Sequence, residues 1–297
     1  MAATYDDLFT EYCKIPIQDR VEGSDIDLAL RKAEEARITS VLAQGWRTMG
    51  LLRPRDPDDP QEMFPGDCWS FREAIGASFS DDEILARITD PHAADNRYHS
   101  NKFTLDQNGR GSCAGEGCTG DFMCVRDEFT LPFRKLNPWP LYWLSSGGRD
   151  SGSSLQANIK YATEVGIPSQ TDIVVNGQVL FQGIPRPGSY RAMTEKEKEH
   201  AARHRIRATI RAQDLREAKS LLSMDKFMYL GYSGHAWFGV ECLDLLRLYW
   251  KNSWGADWGE NGHSTLSWSS VQQGYGMYAI AEIFVPDDEV SDVPVPD

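Results

Sequence analysis

At 297 residues, 41% hydrophobic and 25% charged, the chain has a globular composition and enough length for one large domain or two lobes. Lysine and arginine together number 31 against 44 aspartates and glutamates, and the net charge of −13 disfavours a nucleic-acid partner or an anionic membrane surface. No apolar run approaches a membrane span and no fixed-period repeat is present.

The first residues, Met1 to Asp7, are acidic and lack the basic start and apolar middle of a secretory signal, so a cytoplasmic product is the default. Six cysteines (Cys13, Cys68, Cys113, Cys118, Cys124, Cys242) follow no metal-ligand spacing. In a reducing compartment they are expected as free thiols, and neither a metal nor an organic cofactor is implied.

Ile26 to Leu42 carries an amphipathic helical pattern, with Ser24 or Asp25 as its cap. Pro54, Pro57, Pro60 and Pro65 then punctuate an acidic stretch that reads as an exposed connection, and Phe71 to Ala77 and Asp81 to Ile88 read as short helices. This leading third carries no recognisable chemistry. An inhibitory pro-segment, a docking module and a structural wrap around the core are the alternatives.

From Asp106 to Cys118 a polar, glycine-punctuated turn runs into small residues, the pattern of a tight loop feeding a buried helix. A cysteine at that point, Cys113, faces unpaired backbone N–H groups and the positive end of the helix dipole, which favour the thiolate. Gln107, six residues upstream, can offer an amide donor to a developing oxyanion. Taken alone, a free cysteine is more often a buried apolar filler than a nucleophile.

Ser154 to Gly166 is a further amphipathic helix that ends on glycine with Pro168 beyond, preceded by Gly147-Gly148, which by itself reads as a flexible turn. Thr194 to Leu222 is charge-rich and helical in pattern. Its His200 and His204, four apart, are expected on a solvated face rather than at a metal.

Beyond it, Lys226 to Tyr232, His235 to Leu243, Leu246 to Trp250, His263 to Ser267 and Met277 to Val285 read as short antiparallel strands. Pro286 to Asp297 reads as a disordered acidic tail. Within the β region, His235 opens an apolar strand after Gly234, and Asn252-Ser253-Trp254-Gly255 is followed by Trp258-Gly259.

In this order, with His235 lying 122 residues after Cys113 and Asn252 139 after it, these pieces resemble the papain-like cysteine peptidases, in a bacterial or phage-like variety. The resemblance runs from about Leu105 to Val285, and the Asn-Ser-Trp-Gly element is its most specific part. It implies an α+β, two-lobe fold, with a helical lobe, an antiparallel β lobe and the active-site cleft between them. Residues 1–100 would form an N-terminal extension, 101–286 the peptidase domain (lobes about 101–200 and 201–286), and 287–297 the tail.

Carried over, Cys113 is the nucleophile, His235 the base and then the acid, and Asn252 the residue that orients the imidazole. Gln107 and the Cys113 N–H form the oxyanion hole, Trp254 shields the His–Asn pair, and Gly147, Gly148 and Gly234 belong to the substrate-binding backbone.

Ala114 stands where an aromatic residue is usual, and Arg110 with Ser145 or Ser146 where secreted members carry a disulfide. Cys118 is the rival nucleophile but lacks the Gly-Ser approach, and with Cys124 it is expected in the core. Gly115, Gly117 and Gly120 imply close packing of the helix against the β lobe.

The expected activity is hydrolysis of peptide bonds in a polypeptide substrate, as an endopeptidase. A catalytically silent domain used for binding or assembly, for instance with a phage or bacterial partner on a virion, and an amidase or transamidase are the other readings.

Overall fold

A 16-residue helix that can approach its neighbours closely organises the molecule: α6, Cys113–Glu128, whose residues Cys113 to Asp127 are all buried. The computed structural model describes residues 3–43, 50–51, 67–91, 93, 95–129, 131–175, 177–186 and 188–286. The expected proline-marked connection (Pro54, Pro57, Pro60, Pro65) and the tail 287–297 lie outside them. Before α6 come α1 (Tyr5–Cys13), α2 (Asp25–Ala43), β1 (Asp67–Ser70), α3 (Phe71–Ala74), α4 (Asp81–Ile88) and α5 (Asn96–Ser100).

Three glycines let α6 sit against its surroundings. A Cβ on Gly115 would stand 3.0 Å from the Tyr142 Cβ, one on Gly117 2.9 Å from the Tyr229 ring, and one on Gly120 would overlap Phe238. Each glycine costs about 1 kcal/mol of helix propensity relative to alanine, and the tighter packing of bare backbone against rings and strands offsets it. On one side α6 packs against α7 (Pro138–Ser145) and α8 (Leu155–Glu164). The first is capped by the Asn137 side chain with prolines in its first turn, the second by the Ser154 hydroxyl. On the other side α6 meets the sheet.

That sheet has seven strands in the order β1-β4-β9-β5-β6-β7-β8. They are β4 (Ile206–Arg211), β5 (Met228–Tyr232), β6 (His235–Cys242), β7 (Arg247–Lys251), β8 (His263–Ser267) and β9 (Tyr278–Ile283), antiparallel throughout except that β1 runs parallel to β4 at the edge. A separate hairpin, β2 (Ile173–Val175) and β3 (Gln178–Phe181), follows α8.

The stretch expected as helical from Thr194 to Leu222 is corrected by the structure. It holds α9 (Glu195–Ala201), then β4, then α10 (Leu215–Leu222). Ile206, Ala208 and Ile210 are buried at period two, a strand signal obscured by the surrounding charges. The expectation of a solvated His200 and His204 is also overturned. Both are buried, their Nδ1 atoms 3.2 and 3.0 Å from the carbonyls of Gln182 and Ile167. Two ring nitrogens satisfied by backbone let the histidines sit in an interior that the charge pattern hides.

The leading third is built onto the β strands. β1 extends the sheet, and Phe71 and Ile84 share a core cluster with Trp237 and Trp250. The helices α1 and α2 dock through buried polar groups. Arg247 of β7 donates to Glu34 at 2.6 Å and lies 3.3 Å from Asp27, all three buried. Glu34 also accepts from Thr265, and Asp244 receives Arg20 at 2.6 Å and the Tyr12 hydroxyl at 3.1 Å. Among the described residues no helix is long and apolar enough to cross a membrane.

Arg247→Met removes the cation between two buried carboxylates, and stranding a buried charge costs roughly 3–5 kcal/mol. Urea denaturation of the variant should show a loss of that order, and an unchanged midpoint would mean that α2 is not anchored here.

Candidate active site

Cys113 is the first residue of α6. Ser112 before it gives the helix no side-chain cap, so the first-turn N–H groups stay available. The sulfur is fully buried and accepts the N–H of Gly50 at 3.4 Å; the backbone N–H groups of Ala114 and Ala236 also reach it. Ala236 follows His235 at the start of β6, so the histidine strand lies directly beside the thiol.

His235 is set by a two-residue hairpin turn between β5 and β6. Ser233 (φ 46°) and Gly234 (φ 79°) both take positive φ, the geometry that matches strand twist. The His235 Nε2 donates to the Asn252 Oδ1 at 2.6 Å. That oxygen also accepts the Ser253 N–H at 2.7 Å, which fixes it as the acceptor, and the Asn252 N–H is held by the Gly262 carbonyl. With Nε2 protonated, the lone pair is on Nδ1, which is buried and has no hydrogen-bond partner among the described residues. The indole of Trp254 stacks on the imidazole, centroids 4.6 Å apart, and Trp258 meets Trp254 edge-on.

The turn carrying Gln107 is strand-paired to this loop. Asp106 bridges to Trp254, the Gln107 N–H donates to the Ser253 carbonyl, and Gly255 N–H to that of Leu105. The Gln107 side chain accepts from the Ser253 hydroxyl at 2.8 Å and donates to the Arg110 carbonyl at 2.5 Å. Where the resemblance implies a disulfide in secreted proteins, this chain has polar ties. Arg110 stacks over Tyr190, whose hydroxyl meets that of Ser146 at 3.2 Å, and Asp150 accepts the Gly111 N–H and the Tyr142 hydroxyl, each at 2.9 Å.

A stretch of the leading third occupies the space over the thiol. Besides the Gly50 N–H on the sulfur, the Gly50 carbonyl accepts the Ser153 N–H at 2.7 Å and the Leu51 N–H donates to the Gly234 carbonyl at 2.8 Å. Leu51 pairs in parallel with Ser153, and its side chain packs where a Cβ on Gly231 would stand. A Cβ on Gly50 would overlap the Gly111 carbonyl, so only glycine fits.

The structure therefore brings together Cys113, His235, Asn252, Gln107, Trp254 and Gly234. A Cβ on Gly147 would meet open space and one on Gly148 would meet Trp143. The backbone beside Gly50 is that of Gly152 and Ser153. Their only sequence signal is a third glycine just before the helix cap at Ser154, weaker than the Gly-Gly pair. Gly50 itself carried none. Cys118 and Cys124 lie in the core around α6.

Burial decides the protonation states. It pushes the Cys113 thiol up to about 11, against the lowering effect of the N–H groups of Ala236, Gly50 and Ala114. It lowers His235 to about 4, against the raising effect of Asn252. In this closed arrangement desolvation, with the Glu116 charge, works against the thiolate that the sequence pattern favours.

No family model and no curated protein matches the sequence. Solved structures do match by shape. Xylellain, a cysteine protease from Xylella fastidiosa, superposes with a TM-score of 0.53 at 15% identity over 81% of this chain and 98% of that one. Digestive procathepsin L2 from Tenebrio molitor larval midgut gives 0.52 at 14% identity over 93% and 98%. By this likeness the chain has the papain-like fold of the cysteine proteases, with helices on one side of Cys113 and the sheet on the other.

Proposed function

We propose that the protein is a papain-like cysteine endopeptidase held in a latent form, in which Gly50 and Leu51 mask the nucleophile. The observation that carries the reading is the imidazole of His235, oriented by Asn252 and covered by Trp254, at the start of the strand against which α6, headed by Cys113, packs. A polypeptide substrate is favoured over a small amide by the way Gly50 and Leu51 are held. Gly234 and Ser153 grip them through backbone hydrogen bonds from two sides, as an extended peptide would be gripped.

In the proposed reaction the Cys113 thiol gives its proton to His235 Nδ1, and the sulfur attacks the substrate carbonyl carbon. The oxygen takes up the electron pair and is stabilised by the Gln107 amide and the Cys113 N–H. As the carbonyl reforms, the C–N bond breaks and His235 returns the proton to the departing amine. Water, deprotonated by the same imidazole, then releases the acid from the thioester.

Gly50 escapes this chemistry because it presents an N–H to the sulfur, while its carbonyl is bound to the Ser153 N–H.

Gly50→Ala should expel residues 50–51. Iodoacetamide labelling of Cys113 near neutral pH, read by peptide mass mapping, is then expected to rise about tenfold or more, since each pH unit of thiol pKa recovered is worth a factor of ten. Unchanged labelling would sink the masking role. With Gly50→Ala in place, His235→Ala should lower peptide turnover by roughly a thousandfold or more. Cys113→Ala should abolish it, and turnover that survives that change would end the peptidase reading.

A further inference from the structure

Behind the nucleophile lies a buried charge that the proposed reaction does not use. Glu116, three residues after Cys113 in the first turn of α6, is fully buried. Both its carboxylate oxygens accept from one cation: Arg186 Nη2 donates to Oε1 and Oε2, each at 2.9 Å. The Trp139 indole N–H adds a bond at 3.2 Å, and the Arg186 guanidinium lies over the Trp139 ring. The same guanidinium donates through Nη1 to the Asp106 carbonyl at 2.6 Å, at the base of the turn that carries Gln107.

We propose that Arg186 is a positioning residue for Cys113, neutralising the Glu116 carboxylate behind the sulfur while fixing the carbonyl from which the Gln107 turn hangs.

The physical need is specific. A bare carboxylate buried in the first turn opposes a thiolate at the head of the same helix, where the dipole otherwise favours it. Burial holds the Glu116 carboxyl above its ordinary range and Arg186 pulls it down. Lysine would supply the charge but not the three-way fork that reaches Glu116 and Asp106 together. The other titratable or charged groups around this end of α6 are Tyr229 of β5 and His235 at the start of β6, with Asp106 by Glu116 and Arg110 and Asp150 paired on the adjoining turns. All of them stay unaltered in the variants that test the proposal.

The test is the pH profile of Cys113 alkylation by iodoacetamide in the full chain, quantified by mass mapping, for wild type, Arg186→Met, Glu116→Gln and the double variant. Arg186→Met leaves the carboxylate uncompensated and should move the profile up by roughly half a pH unit or more. Glu116→Gln leaves the cation and should move it down, and the double variant should return towards wild type. A merely structural pair would loosen the site in the same way from either side. Shifts of the same sign, or none, overturn the proposal. If Arg186→Met does not fold, the direction of the Glu116→Gln shift decides alone, an unchanged or upward profile overturning it. The proposal rests on Cys113 as nucleophile, but alkylation reports ionisation of the sulfur and needs no substrate, so its failure and a failure of peptide turnover are separate results.

Discussion

The distance between α6 and the sheet is the constraint on which the site depends. Gly117 and Gly120 present backbone to Tyr229 of β5 and to Phe238 of β6, and any side chain at either position would push the helix away. Only at that separation does the first residue of α6 come within reach of the N–H that follows His235. The Tyr229 hydroxyl donating to the Ala114 carbonyl at 2.5 Å holds the same interface by hydrogen bond, one residue beyond the nucleophile. Helix propensity is given up for proximity, and the proximity brings the helix headed by Cys113 against the strand that His235 opens.

The mask over that thiol draws its strength from elsewhere. Gly50 and Leu51 make a handful of backbone hydrogen bonds, each worth about 1 kcal/mol net, and as a free dipeptide they would bind hardly at all. They are tied in sequence to α2 on one side and β1 on the other. The first is fixed by Glu34 and Asp27 on Arg247, the second by pairing with β4. Tethering at both ends converts weak contacts into occupancy by raising the local concentration. On the proposed reading, release comes from losing a tether or losing the fit of Gly50, and neither change touches Cys113, His235 or Asn252.

What was legible in the sequence follows the range of the forces. Gly-Ser-Cys, Gly-His and Asn-Ser-Trp-Gly are local arrangements, each needing particular residues at adjacent positions, and they mark Cys113, His235 and Asn252, which the fold does gather. The strands β5 to β9 show as apolar runs between turns. β4 was hidden because its neighbours are charged, and the burial of His200 and His204 because their partners are carbonyls far along the chain. Gly50 and Arg186 left no trace, since their meaning lies in contacts with residues far along the chain, such as Cys113 and Glu116. Gly152 and Ser153, which lie against Gly50, were passed over for a similar reason: a flexible glycine turn and a glycine that must admit another strand look alike until the second strand is present.

On the proposed reading, the closed site is silent for electrostatic as well as steric reasons. With the thiol near 11 and the imidazole near 4, the proton belongs firmly to the sulfur. Burial disfavours both members of a thiolate–imidazolium pair. The N–H groups aimed at Cys113 and the oxygen of Asn252 on His235 pull the opposite way but are outweighed. Removing Gly50 takes away one of the N–H donors, a small loss for the thiolate. It also admits water to both groups, and hydration of two charges is the far larger effect. On the proposed reading, one displaced glycine both uncovers the sulfur and lets it ionise, so a mask of two residues would be enough to control the chemistry of the cleft.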